Sequence, residues 1–188
     1  MRDASRTKQR IDETAIKFFV RKGVDATTIR DIAGGARIAE GTIYRHYTSK
    51  EAMVAALFSE NYARFTRELD EVQGVRPDLE AKLAAMIRAF CAFFDSEPEL
   101  FSFLLLVQHQ QLHKVSPNLP NAVDLLRTVI AEGIRRREIK RQDPELAAAL
   151  VLGVVLRPAI FRIYGRIEGP MGKLANRLAK AAWQVLQV

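Results

Sequence analysis

The chain has 188 residues, of which 48% are hydrophobic and 27% are charged, a composition typical of folded globular proteins rather than disordered ones. Its longest uncharged apolar stretch, residues 146–156, is too short to span a bilayer, and no basic start followed by an apolar segment resembles a secretion signal. The single cysteine, Cys91, excludes an internal disulfide, and together these features predict a cytoplasmic protein without membrane association or cofactor.

The positive charge is concentrated near the N-terminus. Of the formal net charge of +7, residues 1–50 carry +5, from 11 lysines and arginines against 6 aspartates and glutamates. Residues 51–188 carry only +2. A basic segment joined to a nearly neutral remainder suits a polyanionic partner for the first part alone.

The first predicted helix covers residues 6–22. Hydrophobic residues recur at helical spacing along one side of it, and Gly23 supplies the stop. Its inward stripe consists of Ile11, Ala15, Phe18 and Phe19.

Two short helices follow the first one. Thr28 and Asp31 have the spacing of a capping box at the start of the second helix, and the glycine pair at residues 34–35 is expected to end it. The third helix covers residues 39–47. Three helices of this kind, the last two short and joined by a tight break, are typical of a helix-turn-helix domain.

The third helix has two chemically different sides. With Ile43 at the centre of the buried side, a rotation of 100° per residue brings Tyr47 beside it. A hydroxyl can bond phosphates, a guanidinium can fork onto guanine, and a small residue permits close approach to a DNA backbone. The alternative interpretation is a solvated amphipathic face. The outward residues are Gly41, Thr42, Tyr44 and Arg45.

The rest of the chain is also predicted to be helical. A long helix starts after the cap at residues 48–51, and residues 74–77 are the best candidate for a linker. Pro158 is expected to kink the penultimate helix, because it removes one donor and clashes with the preceding turn. The later helices are predicted at residues 79–94, 99–113, 121–137, 143–164 and 170–186. Asp143 is predicted to be the N-cap of the fourth of these, with Pro144 in its first turn.

Side chains of these later helices are candidates for the lining of a small-molecule cavity, although such spacing more often marks plain core. An apolar lining predicts an apolar or aromatic effector. Arg157 lies in an apolar helix, and a buried charge needs a partner, either an ion pair at a dimer seam or an anionic ligand. The candidate ligand-binding residues are Tyr62, Phe65, Phe90, Phe94, Phe103, Val107, His109, Arg157 and Phe161.

Two histidines, His109 and His113, are four residues apart on one predicted helix, a spacing that can place both on a metal ion. No third ligand is evident, so we predict no metal site. A rival functional class is a small helical enzyme that uses His109 with Glu97 or Glu99. No nucleophile elbow, metal motif or glycine-rich phosphate loop supports that class.

Two sequence strings point to a known family. TTIRDIA at residues 27–33 and GTIYRHYTSKE at residues 41–51 closely resemble the signature of the TetR family of bacterial transcriptional regulators, over about residues 6–58. The resemblance implies an all-α fold. It further implies a three-helix DNA-binding domain at residues 1–50 and a helical ligand-binding and dimerisation domain at residues 51–188.

The resemblance also implies that the third helix enters the major groove of a double-stranded DNA operator. By position, Thr28 and Lys50 would contact phosphates, while Tyr44 and Arg45 would face the bases or flanking phosphates. Tyr47 would be core first and a phosphate contact second. The implied DNA-binding residues are Thr28, Arg37, Glu40, Gly41, Thr42, Tyr44, Arg45, His46, Tyr47 and Lys50.

One position departs from the family pattern. The family usually has glycine in the turn where this chain has Arg37, and a small hydroxyl residue where it has Ala39. Such a turn commonly needs a positive φ, which glycine tolerates and arginine does not. Either the glycine pair at residues 34–35 moves the bend upstream, or Arg37 accepts strain.

The predicted function is that of a ligand-responsive repressor that binds a palindromic operator as a homodimer, although an activator would have the same sequence features. The last two helices are expected to form an intermolecular four-helix bundle. A small helical enzyme and a protein-binding adaptor without DNA recognition are the alternatives. The predicted interface residues are Ala147, Leu150, Gly153, Val154, Leu174, Leu178, Ala181 and Val185.

Overall fold

The computed structural model describes residues 2–111 and 120–187. In these residues the chain forms nine α-helices, one short 3-10 helix and no strand, which confirms the predicted all-α fold. The α-helices are α1 (Arg2–Lys22), α2 (Ile29–Ala36), α3 (Glu40–Tyr44), α4 (Lys50–Gly74), α5 (Leu79–Ser96), α6 (Pro98–Gln111), α7 (Ala122–Arg135), α8 (Pro144–Ile163) and α9 (Ala175–Val185), and the 3-10 helix is Met171–Leu174.

The helices group into two compact units. Of the described residues, the first unit holds those up to Asn61 and residues 99–111, and the second unit holds Tyr62–Pro98 and residues 120–187. The predicted division at residue 50 stays a prediction. The predicted linker at residues 74–77 connects α4 to α5 within the second unit, so it is a loop between two helices.

In the first unit, α1 supplies much of the core. Its predicted inward stripe is buried, except for Phe18, which is half-buried. Gly23 ends the helix with a φ of +85°, a conformation that glycine adopts without steric cost. The ring of Phe19 stacks on that of Phe103 from α6, with centroids 5.8 Å apart.

The capping box predicted for α2 is confirmed. The Asp31 N–H donates to Thr28 Oγ1 at 3.1 Å, and the Thr28 N–H donates to Asp31 Oδ2 at 3.0 Å. This bond from the Thr28 backbone, helped by the Thr28 hydroxyl and Lys22, holds the pKa of the Asp31 carboxyl below its usual value. The start of α2 is therefore determined by its own residues.

The predicted end of α2 at the glycine pair is wrong. The helix continues through both glycines to Ala36, and Arg37 then adopts a φ of 54° in the left-handed region. The Ile38 N–H donates to Ala33 O at 3.0 Å, which closes the helix with a Schellman-type turn. Of the two alternatives left open by the sequence, the strained arginine is the one observed.

Gly35 serves helix packing rather than helix termination. A Cβ at this position would lie 2.6 Å from Phe18 Cε2 and 2.8 Å from Thr14 Cγ2, well inside van der Waals contact. A Cβ at Gly34 would meet nothing within 4 Å. The close approach of α1 and α2 offsets the helix-propensity cost of about 1 kcal/mol for each glycine, so the helix persists.

In the second unit, α8 begins where the sequence predicts. Asp143 Oδ1 accepts a hydrogen bond from the Glu145 N–H at 2.9 Å, which confirms the N-cap, and the helix continues through Pro158. The last predicted helix begins as the 3-10 helix rather than as α-helix. Asp95, near the end of α5, accepts hydrogen bonds from the first two backbone N–H groups of that 3-10 helix, at 2.8 and 2.7 Å.

Among the described helices, α8 alone is long and apolar enough to cross a membrane by length and composition, with a mean hydropathy of 2.0, yet only 28% of its apolar window is buried. Core and interface helices of soluble proteins have the same composition. One side of α8 is exposed at helical spacing, and Leu146 and Leu150 on it are 59% and 45% exposed. We call this side the α8 stripe: Leu146, Leu150, Gly153, Arg157 and Phe161.

The contact between α1 and α2 leads to a stability prediction. Gly35→Ala is expected to lower the free energy of unfolding by about 1–3 kcal/mol, because the new methyl group forces Phe18 or Thr14 to move. Gly34→Ala, with open space for its methyl group, is expected to raise it by about 0.5–1 kcal/mol through helix propensity. Urea unfolding of both variants is the measurement, and effects of the same sign would contradict this account of the contact.

Candidate DNA-binding interface

The two predicted sides of α3 are present in the structure. Ile43 is fully buried and Tyr47 is 5% exposed, so both belong to the core of the first unit. Tyr44 is 53% exposed, Arg45 is exposed and Thr42 is half-buried. The outward face of α3 is thus open to a partner, and the Arg45 Nη2 group donates to Thr42 Oγ1 at 3.3 Å across it.

Tyr47 anchors the segment that follows α3. Its hydroxyl donates to Asp12 Oδ1 at 2.6 Å, and Lys8 Nζ lies 2.9 Å from Asp12 Oδ2 and 5.4 Å from the centre of the Tyr47 ring. Burial, followed by the contact with Asp12, raises the pKa of Tyr47, which therefore stays protonated and able to donate. A polar group that is buried needs such a partner, because an unpaired hydroxyl in the core is costly.

The helix α3 depends on these tertiary contacts for its position. It has only five residues, and Ala39 at its N-cap makes no side-chain hydrogen bond, because alanine has no polar side-chain atom. Isolated helices of this length are unstable in water because their nucleus is costly. The burial of Ile43 and Tyr47 therefore determines which side of α3 faces solvent.

Thr28 is exposed at the start of α2, but its hydroxyl already has a partner. Besides accepting from the Asp31 N–H, the Thr28 hydroxyl donates to Asp31 Oδ2 at 2.9 Å. Lys22 Nζ lies 3.2 Å from Asp31 Oδ1. A phosphate bound at Thr28 would have to compete with this carboxylate, and the predicted contact stays a prediction.

Lys50, the first residue of α4, has an ammonium group that is fully occupied by backbone oxygens. Its Nζ donates to Val24 O at 2.8 Å, to Asp25 O at 3.2 Å and to Thr27 O at 2.9 Å. An ammonium has three protons to donate and no acceptor, so all of its hydrogen-bonding capacity is used within the first unit. The predicted phosphate contact of Lys50 is not tested by this geometry.

The remaining predicted DNA-binding residues border α3. Arg37, Glu40 and Gly41 are exposed, and His46 is half-buried in the turn after α3. The backbone of Arg37 is left-handed, which costs a non-glycine residue about 1–2 kcal/mol. These positions surround the exposed face of α3 along the chain.

Six of the predicted ligand-binding residues lie in the second unit, and four of these are on α4 and α5, where aromatic rings cluster. The Phe65 ring stacks on that of Phe93 at 4.7 Å between centroids and meets that of Phe90 edge-on at 6.3 Å. The Tyr62 hydroxyl donates to Asn121 Oδ1 at 3.1 Å, and burial raises the pKa of Tyr62. Phe94 is buried in the same unit. A ligand role for these residues stays a proposal.

Of the other five candidates, three lie in the first unit and two lie on α8 in the second unit. Phe103 and Val107 are buried in the first unit, and His109 is exposed there. The Arg157 side chain is exposed within the protomer and its guanidinium carbon lies 5.6 Å from the ring centre of Phe161, itself exposed. Its predicted partner, an ion pair at a dimer seam or an anionic ligand, stays a prediction. On an unpaired face of α8 the guanidinium keeps its hydration, so it needs no ion partner within the chain.

One groove in the second unit lies apart from all the predicted ligand-binding residues. It has a volume of about 450 Å³, runs between α5 and α9 and is lined by Ala84, Ala179 and Trp183 with a polar rim. Arg88 on that rim donates to Asn176 Oδ1 at 3.2 Å. No sequence signal indicated this groove, because its two walls are far apart in the chain.

In the described part of the chain, no three histidine, cysteine, aspartate or glutamate side chains cluster in a way that would hold a metal ion. His113 lies outside the described residues. Cys91 is buried, and burial together with the charge of Asp95 raises the pKa of its thiol to about 11, which disfavours the reactive thiolate.

Asp12 and Lys8, which hold Tyr47 in place, are not among the residues predicted from the sequence. Their spacing of four residues on α1 marks them as a surface ion pair, the usual interpretation of such a pattern. The bond between Asp12 and Tyr47 spans 35 positions. No local signal points to a contact over that separation.

Comparisons with known proteins extend beyond the helix-turn-helix segment. A model of the bacterial regulatory proteins of the tetR family matches residues 11–57. The Mycobacterium tuberculosis protein MftR, a candidate transcriptional regulator of mycofactocin biosynthesis, is 32% identical over 165 residues, covering 82% of this chain and 79% of that protein. A fatty acid metabolism regulator protein of Bacillus subtilis is 25% identical over 150 residues, covering 77% of each.

Solved structures share the fold over nearly the whole chain. The transcriptional regulator FadR of Bacillus subtilis, in complex with stearoyl-CoA, matches with a TM-score of 0.76 at 21% identity, covering 93% of this chain and 97% of that one. The fatty acid degradation regulator FadR of Bacillus halodurans matches with a TM-score of 0.77 at 19% identity, with the same coverage. At these identities the likeness establishes the fold.

The left-handed backbone of Arg37 leads to a prediction with an internal parallel. Arg137, which follows α7, has a φ of 62° in the same kind of turn. Arg37→Gly and Arg137→Gly are each expected to raise the free energy of unfolding by about 0.5–1 kcal/mol, because glycine removes the left-handed strain but adds chain entropy. Arg37→Ala keeps the Cβ and is expected to give no gain. Denaturant unfolding measures all three, and an equal gain from the alanine variant would refute the strain argument.

Proposed function

Because the chain belongs to the TetR family of bacterial regulatory proteins, we propose that it is a ligand-responsive repressor that binds a palindromic DNA operator as a homodimer. Transcriptional regulation through DNA binding follows from family membership. In this proposal, residues 1–50 bind DNA and residues 51–188 bind the ligand and form the dimer. Its expected location is the cytoplasm.

The observation that carries the DNA-binding assignment is the exposure of Tyr44 and Arg45 beside fully buried Ile43. An exposed ring and guanidinium on a short helix fit the major groove, where arginine can fork onto guanine and an aromatic ring can contact a thymine methyl group. Thr42 would then bond a phosphate or a base edge. Excess positive charge in residues 1–50 supports approach to a polyanion.

The α8 stripe supports the homodimer. An apolar stripe along a 20-residue helix is unfavourable in water, and a second copy would bury it by twofold pairing. Leu150 and Gly153, both predicted for the interface, lie on this stripe. Ala147 and Leu178, also predicted for it, are 1% and 8% exposed in the protomer, so they offer a partner little surface.

Twofold pairing also explains why the proposed operator is palindromic. A single helix-turn-helix reads only a few base pairs, and a dimer reads two half-sites about one helical turn apart. Pairing is a better cover for the stripe than a lipid bilayer, because Arg157 and Arg162 lie in α8 and the helix packs against α7 and α9.

The aromatic cluster of the second unit supports an apolar effector. Phe65 and its ring neighbours offer apolar surface, and the related FadR of Bacillus subtilis binds stearoyl-CoA, an acyl chain on a polyanionic carrier. We propose an effector of apolar or acyl character. To release DNA, such a ligand must bind more tightly to the state in which the two DNA-reading domains are wrongly spaced.

The enzyme alternative finds little support in the described residues. Glu97, one of the two carboxylates considered beside His109, is paired with Arg64, whose Nη2 group lies 2.8 Å away. The protein-binding adaptor would use the same exposed α3 face without DNA. Direct DNA binding separates the two functions.

Replacing Tyr44 by alanine tests the DNA-binding face. We expect operator affinity to fall roughly 5- to 150-fold, the size of the 1–3 kcal/mol that base contacts contribute. Gel shift on an operator selected from random DNA is the measurement, with the dimer checked by light scattering. Val75→Ala, which truncates an exposed side chain of the second unit, is the control. Unchanged affinity of the Tyr44 variant would favour the adaptor.

Replacing Leu150 by glutamate tests the dimer. A charge on the α8 stripe is expected to convert the dimer to monomer at micromolar concentration, because two carboxylates would be buried without partners. Analytical ultracentrifugation measures the change. Leu106→Glu, at an equally exposed leucine of α6, is expected to leave the dimer intact. A dimeric Leu150 variant would place the interface elsewhere.

A further inference from the structure

The groove between α5 and α9, which we call the α5–α9 groove, is open because short side chains line it. Ala84 on α5 and Ala179 on α9 are both half-buried there. Beyond them the helices are joined by Arg88, whose Nε donates to Asn176 Oδ1 at 3.2 Å. The volume of about 450 Å³ lies within the range of about 300–1,000 Å³ that small-molecule sites occupy.

Charged side chains form the rim of the α5–α9 groove. Arg88 and Glu80 are eight residues apart on α5, or about 12 Å along the helix axis. The contact of Asp95 with the 3-10 helix before α9, together with that of Arg88, shows that α9 runs antiparallel to α5. Lys180, four residues beyond Asn176, therefore lies between the levels of Arg88 and Glu80. All three rim charges are exposed, and none has an ion pair with a described residue. Two cations against one carboxylate favour an anion.

Trp183 forms the apolar wall of the groove. Its side chain is half-buried, and within the described part of the chain its indole N–H meets no hydrogen-bond acceptor. A flat ring stacks on an indole face more favourably than its buried area alone accounts for. The same face attracts cations, but the positive charges of Arg88 and Lys180 disfavour a cationic ligand. The groove is therefore complementary to a flat ring that bears a negative charge.

We propose that the α5–α9 groove binds a small aromatic carboxylate, whose ring stacks on Trp183 and whose carboxylate accepts from Arg88 and Lys180. An arginine binds a planar carboxylate through two N–H groups. Asn176 accepts from Nε of Arg88, which leaves both Nη groups to bind the ligand. Glu80, at the other end of the groove, accepts from a hydroxyl group on a ligand of two rings.

This site is separate from the features on which the proposed function rests. The apolar effector is assigned to the aromatic cluster around Phe65, and none of the residues predicted for the dimer interface lines the groove. Occupation of the groove is therefore compatible with both the proposed dimer and the apolar effector, and it is tested without DNA.

The probe for the test is 6-hydroxy-2-naphthoate, which is flat, anionic at one end and a hydroxyl donor at the other. Trp183 is the only tryptophan of the chain, so a proton–nitrogen NMR spectrum contains one indole signal, and that signal reports on the groove. We expect the signal to shift saturably with the probe, with a parallel rise in Tm. The neutral 6-hydroxy-2-naphthamide is expected to bind at least tenfold more weakly, because it lacks the charge that the two cations recognise.

Substitutions in the groove test its individual parts. Arg88→Met removes the guanidinium and is expected to weaken probe binding about tenfold. Arg67→Met, which removes an exposed arginine of α4 outside the groove, is the matched control and is expected to leave binding unchanged. Ala179→Leu fills the groove and is expected to abolish the shift of the Trp183 signal. Circular dichroism establishes that each variant is folded.

Three results would overturn the proposal. The first is an indole signal that does not move at millimolar probe, and the second is an equal loss of binding in the Arg88 and Arg67 variants. The third is equal affinity for the naphthamide, which would exclude an anionic ligand class. Heat of binding without a shift of the Trp183 signal, retained in Ala179→Leu, would place the probe at another site and likewise refute the assignment. Operator binding is measured separately, so none of these results decides the proposed function.

Discussion

The position of α3 depends on the burial of two side chains, Ile43 and Tyr47, in the core of the first unit. The helix is too short to be stable by itself, so its rotation about its own axis is set by what these residues contact. The bond from the Tyr47 hydroxyl to Asp12 adds a directional constraint that apolar packing lacks. The exposed face and its proposed chemistry follow from that constraint.

The segment before α3 contains two features that are locally unfavourable. Arg37 has a left-handed backbone conformation that glycine would adopt without steric strain, and Ala39 leaves the start of α3 without a side-chain cap. Contacts that are distant in sequence compensate for these losses. The hydrogen bonds from Lys50 to the turn after α1 and the close packing of α2 on α1 at Gly35 are two of them. The side chains of a DNA-binding surface must stay exposed and polar, so they cannot add to the hydrophobic core. The surface is therefore stabilised by contacts on its buried side.

The second unit has the opposite character, since only 28% of the apolar window of α8 is buried within the protomer. The α8 stripe combines leucines, a glycine and an aromatic ring with the exposed guanidinium of Arg157. This composition is more typical of an interface with a complementary protein surface than of a solvent-exposed surface. The aromatic cluster around Phe65 lies within the same unit. In the proposed regulator, both effector binding and dimer contacts would use this unit, and each could influence the other only by favouring one of the same two conformational states.

Sequence alone determined the all-helical fold. It also determined three features that arise within three or four residues: the capping box at Thr28, the end of α1 at Gly23 and the N-cap at Asp143. These signals are local because hydrogen bonds at helix ends join near neighbours. Only the tertiary structure decided that α2 continues past its glycines, that Arg157 is exposed and that Lys50 donates hydrogen bonds to the turn after α1. Each of those outcomes depends on which faces meet across tens of residues, and helical spacing does not specify that choice.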